Sequence, residues 1–288
     1  NNAFRSISTQ VIGAYSGPEE FQNKYVFTEL SSAQELLNYD ENQISGIELK
    51  LKKDVNSDDF QEKLQDDLGA AFSVKTRAQL NALYYKVINT GTIDKYVTKW
   101  GNKEMRYLGD KYLNPVVRKD IFKLNFKNSY YEKSKTPKII IKGLTLLDAC
   151  LDKEGVIAPG KTTLVLCDKN IDNLKAISCI INSKISIFCI KEKFGSSSYN
   201  GGVTFNKGMI NSLLIPNNFE EIYENLIIFF DLITEHKLNN DDELYAKAQF
   251  RLDVLIYKSF NIPFENVSII DSNFNLSEEQ YINFNLKD

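Results

Sequence analysis

The sequence predicts an α+β fold: a small N-terminal α+β unit, a central mixed β-sheet domain with helices, and a C-terminal antiparallel helical hairpin. Three observations carry that expectation. Short β-rich runs alternate with helical stretches over residues 1 to 88, two apolar strands stand out in the middle, and two long helical periodicities close the chain. With 288 residues, 43% of them hydrophobic and 12% aromatic, there is apolar surface for one large domain or two ordinary ones, and a disordered chain is excluded.

In the first segment, residues 10 to 15 and 25 to 28 are β-rich, Ser31-Ser32 can cap a helix running through Leu37, and Gly46 to Leu51 alternates apolar and charged residues as a half-buried strand does. Asp58 to Leu68 reads as an amphipathic helix with Phe60, Leu64 and Leu68 on one face and Gly69 closing it; a further helix is expected over Arg77 to Ile88. In the middle, Pro137 to Gly143 and Thr162 to Cys167 are strands of one sheet, Asp172 to Asn182 and Ser183 to Phe194 are helices, and Gly195 to Gly202 is a Ser/Gly-rich loop. At the end, Ile222, Leu226, Phe229, Phe230 and Ile233 fall at helical spacing. Leu244, Ala248, Leu252, Leu255 and Ile256 do the same after a polar turn. Domain boundaries are placed at 88/89 and 216/217.

Charge is unevenly distributed. The whole chain has 35 Lys and Arg against 38 Asp and Glu, yet residues 91 to 215 hold 21 against 11, a net of +10, while residues 216 to 288 hold 5 against 14, a net of −9. A middle of this kind is suited to a polyanion, and the acidic hairpin to a protein partner. Cys150, Cys167, Cys179 and Cys189 form no C-x-x-C pair and the one histidine, His236, lies apart from them, so a zinc site is not expected and the thiols read as reduced, structural groups of a cytoplasmic protein. No apolar run is long enough to span a membrane. Glu48-Leu49-Lys50 has the spacing of a nuclease motif but is better explained as the wet face of a strand; no catalytic triad or phosphate loop is present.

Several motifs occur together in order: Asn89-Thr90-Gly91-Thr92-Ile93-Asp94-Lys95-Tyr96 with Trp100-Gly101, Tyr112-Leu113-Asn114-Pro115-Val116-Val117, Pro137 to Gly143, Ile180-Ile181-Asn182-Ser183-Lys184, Leu213-Leu214-Ile215-Pro216 and Leu252 to Lys258. Through them residues 89 to 288 resemble the TaqI-like target-recognition domain of adenine-specific DNA methyltransferases and single-chain restriction-modification enzymes. The resemblance implies sequence-selective reading of double-stranded DNA on behalf of a methyltransferase or nuclease domain or subunit. The family's catalytic Asn/Asp-Pro-Pro-aromatic motif has no counterpart, since Asn114-Pro115-Val116 and Asn261-Ile262-Pro263-Phe264 lack the second proline. S-adenosylmethionine and magnesium are accordingly expected only in a catalytic domain outside this chain, with no cofactor and no catalytic residue in it.

Residues 3 to 90 resemble part of the periplasmic domain of a lipoprotein-releasing ABC transporter permease, through Phe4 to Thr9, Val11-Ile12-Gly13, Glu20 to Phe27, Ile47 to Leu51 and Gln79 to Tyr84. This second resemblance implies an extracytoplasmic interaction fragment, periplasmic if it carries the function. The two meet at Asn89-Thr90, which points to a chimeric junction there.

Sequence reading of DNA needs lysines on phosphates and polar groups at base edges. Lys138, Lys142, Lys161, Lys191, Lys193 and Lys207 are the expected phosphate contacts. The loop Ser197, Ser198, Tyr199, Asn200, Gly201 and Gly202 is the expected groove contact, and Tyr96, Lys99 and Trp100 form a second expected cluster.

Overall fold

The computed structural model describes residues 28–52, 54–107, 109–195, 198–199 and 202–284. The fold is α+β, and the chain divides into two compact units, residues 1–74 and 75–288. The expected boundary after residue 88 would cut through a sheet.

Within the first unit the described residues form helices Leu30–Leu37 and Ser57–Leu68 and a 3-10 turn Gly69–Ala71. Asn56 caps the second helix by accepting from the Asp58 and Asp59 amides. The strand expected over residues 46 to 51 is absent: no neighbour among the described residues pairs with it, and Ile47 and Leu49 remain 75% and 55% exposed. Alternation alone cannot make a strand without a ladder partner. The Phe60 and Leu68 face likewise stays exposed. The β-rich run at residues 10 to 15, and all but Thr28 of the one at 25 to 28, lie outside the described residues.

In the second unit the strands are β1 Tyr84–Ile88, β2 Met105–Tyr107, β3 Asp110–Tyr112, β4 Val116–Arg118, β5 Lys138–Lys142, β6 Leu144–Thr145, β7 Ala149–Asp152, β8 Ile157–Pro159, β9 Thr163–Cys167, β10 Ser198–Tyr199 and β11 Gly202–Thr204. β1 lies between antiparallel β4 and parallel β8, so the helix expected over residues 77 to 88 is corrected to a short helix, Arg77–Asn81, followed by a central strand. The β-branched, aromatic-rich Tyr84-Tyr85-Lys86-Val87-Ile88 finds partners on both edges, and that pairing overrides a weak helical pattern. β5 lies between antiparallel β7 and β9, as the sequence led one to expect for the second pair. Its run of isoleucines serves two cores at once. Ile140 packs with Ile88, Ile93, Cys150 and Ile157, while Ile139 and Ile141 pack with Leu174, Ile181 and Ile190 of the helices Ile171–Asn182 and Lys184–Phe194.

The long helices Phe219–Leu238 and Asp242–Ser259 form the hairpin. They are not a separate domain: Leu226, Phe230 and Ile233 share one core with Leu252 and Ile256 and with Ala176, Cys179 and Ile180 of the Ile171–Asn182 helix. The Asn182 amide reaches from the end of that helix to the edge of β7, accepting from the Ala149 N–H and donating to the Ala149 carbonyl, each at 2.9 Å, as a neighbouring strand would.

Two buried charged sites organise these layers. Lys138 at the start of β5 is fully buried, and its ammonium donates to the Asp152 carboxylate, to the Ser134 carbonyl at 2.7 Å and to the Thr136 carbonyl at 3.3 Å. Asp152 in turn accepts from the Val156 and Ile157 amides at 3.1 and 2.9 Å. The pair thus ties the end of helix Asn128–Lys135, two strands and the turn into β8. Gly155 completes that turn with φ +65°, where a Cβ would collide with the Lys135 carbonyl. Burial pulls the Lys138 pKa down, and Asp152 opposes the shift. Removing one partner strands the other in a dry site. Lys138→Ala should therefore cost about 3–5 kcal/mol in urea unfolding, and the Lys138→Met/Asp152→Leu double variant should cost less than either single change. A single variant of parental stability would contradict this role.

Asp253 is the second. Fully buried, it accepts from the Lys184 amide at 3.0 Å, so it caps helix Lys184–Phe194 from a neighbouring helix, and it also accepts from Gln249 at 3.2 Å. Burial raises its pKa from 3.8 to about 6, despite the opposing Lys184 N–H and the Lys95 ammonium. The folded state therefore holds this proton more tightly than the unfolded one. Its contribution to stability is complete below the ordinary carboxylate pKa and is lost as pH rises through about 6. Asp253→Asn keeps an acceptor for Lys184 and offers a donor to Gln249 Oε1, which has no hydrogen-bond partner among the described residues. Relative to the parent, the variant should gain on the order of 3 kcal/mol between pH 4 and 7 in denaturant titrations. A pH-independent difference would rule out the titration of Asp253 as its source.

Candidate nucleic-acid interface

An open groove of about 1220 Å³ runs across the second unit, between the β4-β1-β8 and β7-β5-β9 sheets. Its floor is apolar and comes from Val116 and Val117 of β4, Ala158 of β8, and Leu164 to Leu166 of β9. Among the described residues β9 is an edge strand, paired only to β5, and its central residues are half-buried. The Gly143 amide bonds to the Thr162 carbonyl at 3.1 Å. Counting along the antiparallel ladder from that bond, the backbone groups of Val165 point away from β5.

Helices, a turn and a ribbon stand around this floor. Helices Lys119–Asn125 and Asn128–Lys135 contribute Phe122, Phe126, Tyr130 and Lys133, with the Tyr130 hydroxyl donating to the Pro159 carbonyl. The turn from β8 to β9 contributes Lys161, and helix Lys207–Asn211 contributes Lys207, Ile210 and Asn211; Asn206 caps that helix by accepting from the Met209 amide at 3.0 Å. On the remaining side is the two-stranded β2–β3 ribbon. Its register sets Met105 opposite Tyr112, Arg106 opposite Lys111 and Tyr107 opposite Asp110. Directly opposed residues share a face and successive residues alternate, so Met105, Tyr107 and Tyr112 face the groove while Arg106 and Lys111 lie on the other side. Tyr107 and Tyr112 are 59% and 41% exposed.

Lys133, Lys161 and Lys207 are exposed and make no ion pair among the described residues. Other central lysines are neutralised by neighbours. Lys153 and Lys175 share Asp231, and Lys184 pairs with Asp271 at 2.6 Å, so the acidic C-terminal region takes up part of the central positive charge.

Of the described residues expected to touch DNA, only Lys161 and Lys207 line the groove. Lys138 is corrected to a buried structural cation, and Lys142, with 17% of its side chain exposed, is paired with Asp148 at 3.1 Å. A lysine at each end of an apolar strand signals a solvated terminus only when no acid faces it from the adjacent strand. Tyr96 is corrected to a core residue: it is 2% exposed, adopts φ +67° and packs edge-on against Phe230, and burial drives its hydroxyl pKa well up. Lys99 pairs with Asp94 at 2.9 Å. Trp100 is half-buried, donating from Nε1 to the Pro115 carbonyl at 2.9 Å with the Lys86 ammonium 4.9 Å above its ring, so it braces the approach to β4. Lys191 and Lys193 are exposed in the last turn of helix Lys184–Phe194, outside the groove lining. The loop expected at residues 195 to 202 contains a β10–β11 hairpin that pairs with β6, with Ser198, Tyr199 and Gly202 in its strands. Ser197, Asn200 and Gly201 lie outside the described residues.

The ribbon, Lys133 and the aromatic helices are features the sequence reading missed. The alternation in Met105-Arg106-Tyr107 and the turn-forming Gly109-Asp110 were the available signals. Among the described residues no group of His, Cys, Asp and Glu is placed to hold a metal ion, and no single helix is long and apolar enough to cross a membrane. Comparison with protein-family models finds no match, and comparison with curated proteins finds none either.

Proposed function

We propose that this chain binds double-stranded DNA selectively, as the specificity module of an adenine-specific restriction-modification methyltransferase whose catalytic domain is supplied elsewhere. The observation that carries the reading is the convergence of Lys133, Lys161 and Lys207 on one groove. They come from three segments far apart in sequence, and each is exposed and free of a carboxylate partner among the described residues. Lysines left unneutralised on a concave surface attract phosphates through counterion release. The Asn114 and Asn211 amides, which also line the groove, offer paired donors and acceptors of the kind that read base edges, and the exposed Arg106 on the outer face of the ribbon adds a guanidinium suited to guanine or phosphate. A two-stranded ribbon is also narrow enough for a major groove. The order of motifs shared with TaqI-like target-recognition domains supports the same reading. It implies a cytoplasmic setting, which the four free cysteines suit.

The test is fluorescence anisotropy of the full chain with a pool of short duplexes over about 50–200 mM salt. Affinity should fall steeply across that range. The Lys161→Glu/Lys207→Glu double variant, whose changes sit on exposed side chains, should bind at least about tenfold more weakly to every duplex and lower the log–log salt slope by about two. Retention of parental affinity and slope by the variant would refute the reading.

A further inference from the structure

We infer that the groove takes unstacked nucleobases of a locally opened strand, while the lysines around it hold the flanking phosphates. The inference rests on the DNA-binding reading and specifies what enters the groove. Its first support is the mismatch between rim and floor. Phosphates can be met by Lys133, Lys161 and Lys207, but the Val116, Ala158, Leu164 and Leu166 surface has nothing to offer a phosphate, and burying an anion there without a partner is prohibitive. A group that enters must be flat and apolar on its faces yet polar at its edges, which describes a nucleobase.

The second support is the placement of the aromatic side chains. The ribbon register turns Tyr107 and Tyr112 toward the groove, and Phe126 lines it from the helical side at 49% exposure. Large aromatic rings left this accessible beside lysines form the stacking platform and electrostatic track used for single-stranded nucleic acid. The Asn114 and Asn211 side chains make no side-chain hydrogen bond among the described residues and are available to the base edges. Space is sufficient: about 1220 Å³ exceeds the roughly 300–1,000 Å³ typical of small-ligand clefts.

Because extruding a base from a closed duplex costs unpairing and unstacking energy, a duplex that is already open should bind more tightly. The experiment compares, by anisotropy with the full chain, a fully paired duplex of about two helical turns with the same duplex carrying a short central bubble of mismatched bases. The bubble should bind about tenfold more tightly. Tyr107→Ala and Tyr112→Ala, both at exposed positions, should each erase most of that preference, and Tyr112→Phe, which keeps the ring, should retain it. Equal binding of the two duplexes by the parent, or a preference that survives both alanine changes, would overturn the inference and leave DNA binding standing. Failure to bind either duplex even at low salt would overturn both readings.

Discussion

The buried Lys138–Asp152 pair is the contact on which the second unit's architecture depends. Two three-stranded sheets, β4-β1-β8 and β7-β5-β9, meet without sharing a ladder, and something must fix the distance and angle between them. Asp152 does this by holding two amides of the turn that leads into β8, while its partner Lys138 gathers the carbonyls that end the Asn128–Lys135 helix. A buried charge pair is a weak source of net stability, since desolvation offsets its attraction. Its consequence is specificity: any other arrangement of these segments leaves an ion without a partner in a dry interior.

The groove follows from that arrangement. Among the described residues β9 pairs with β5 on one edge only, and β8 pairs with β1, so the space between β9 and β8 is bridged by a turn, Gly160 to Thr162, and not by a ladder. An uncovered strand edge above an apolar floor is normally a hazard that proteins conceal. Here it is rimmed by lysines, which discourage self-association, and by aromatic rings, and together they give the surface its chemistry.

Much of the helical half was legible in the sequence, because long helices that bury one stripe announce it through spacing: Leu226, Phe230, Leu252 and Ile256 are in the core as their periodicity required. β5 and β9 were legible for a similar reason, since a run such as Ile139-Ile140-Ile141 has few alternatives to a strand covered on both faces. What escaped were elements of three to five residues whose identity is conferred by partners. β1 was mistaken for a helix, and β2, β3, β4 and β8 carry too few residues for a period to emerge. Residues 46 to 51 are the converse case, a clear alternation with no strand to pair against among the described residues.

The same distinction governs the site. A surplus of positive charge along the chain counts lysines without regard to what faces them, and the fold divides them into two kinds. Lys138, Lys142 and Lys175 each oppose an aspartate brought from another strand, loop or helix, and Lys99 opposes Asp94 of its own turn, so their charge is met within the protein. Lys161 and Lys207 look no different in sequence, yet they stand where no carboxylate is delivered among the described residues, beside Lys133 and across from a pair of tyrosines. The polyanion-binding capacity of the central segment is therefore set by which lysines the fold leaves without an acid, a smaller and more localised quantity than its formal net charge.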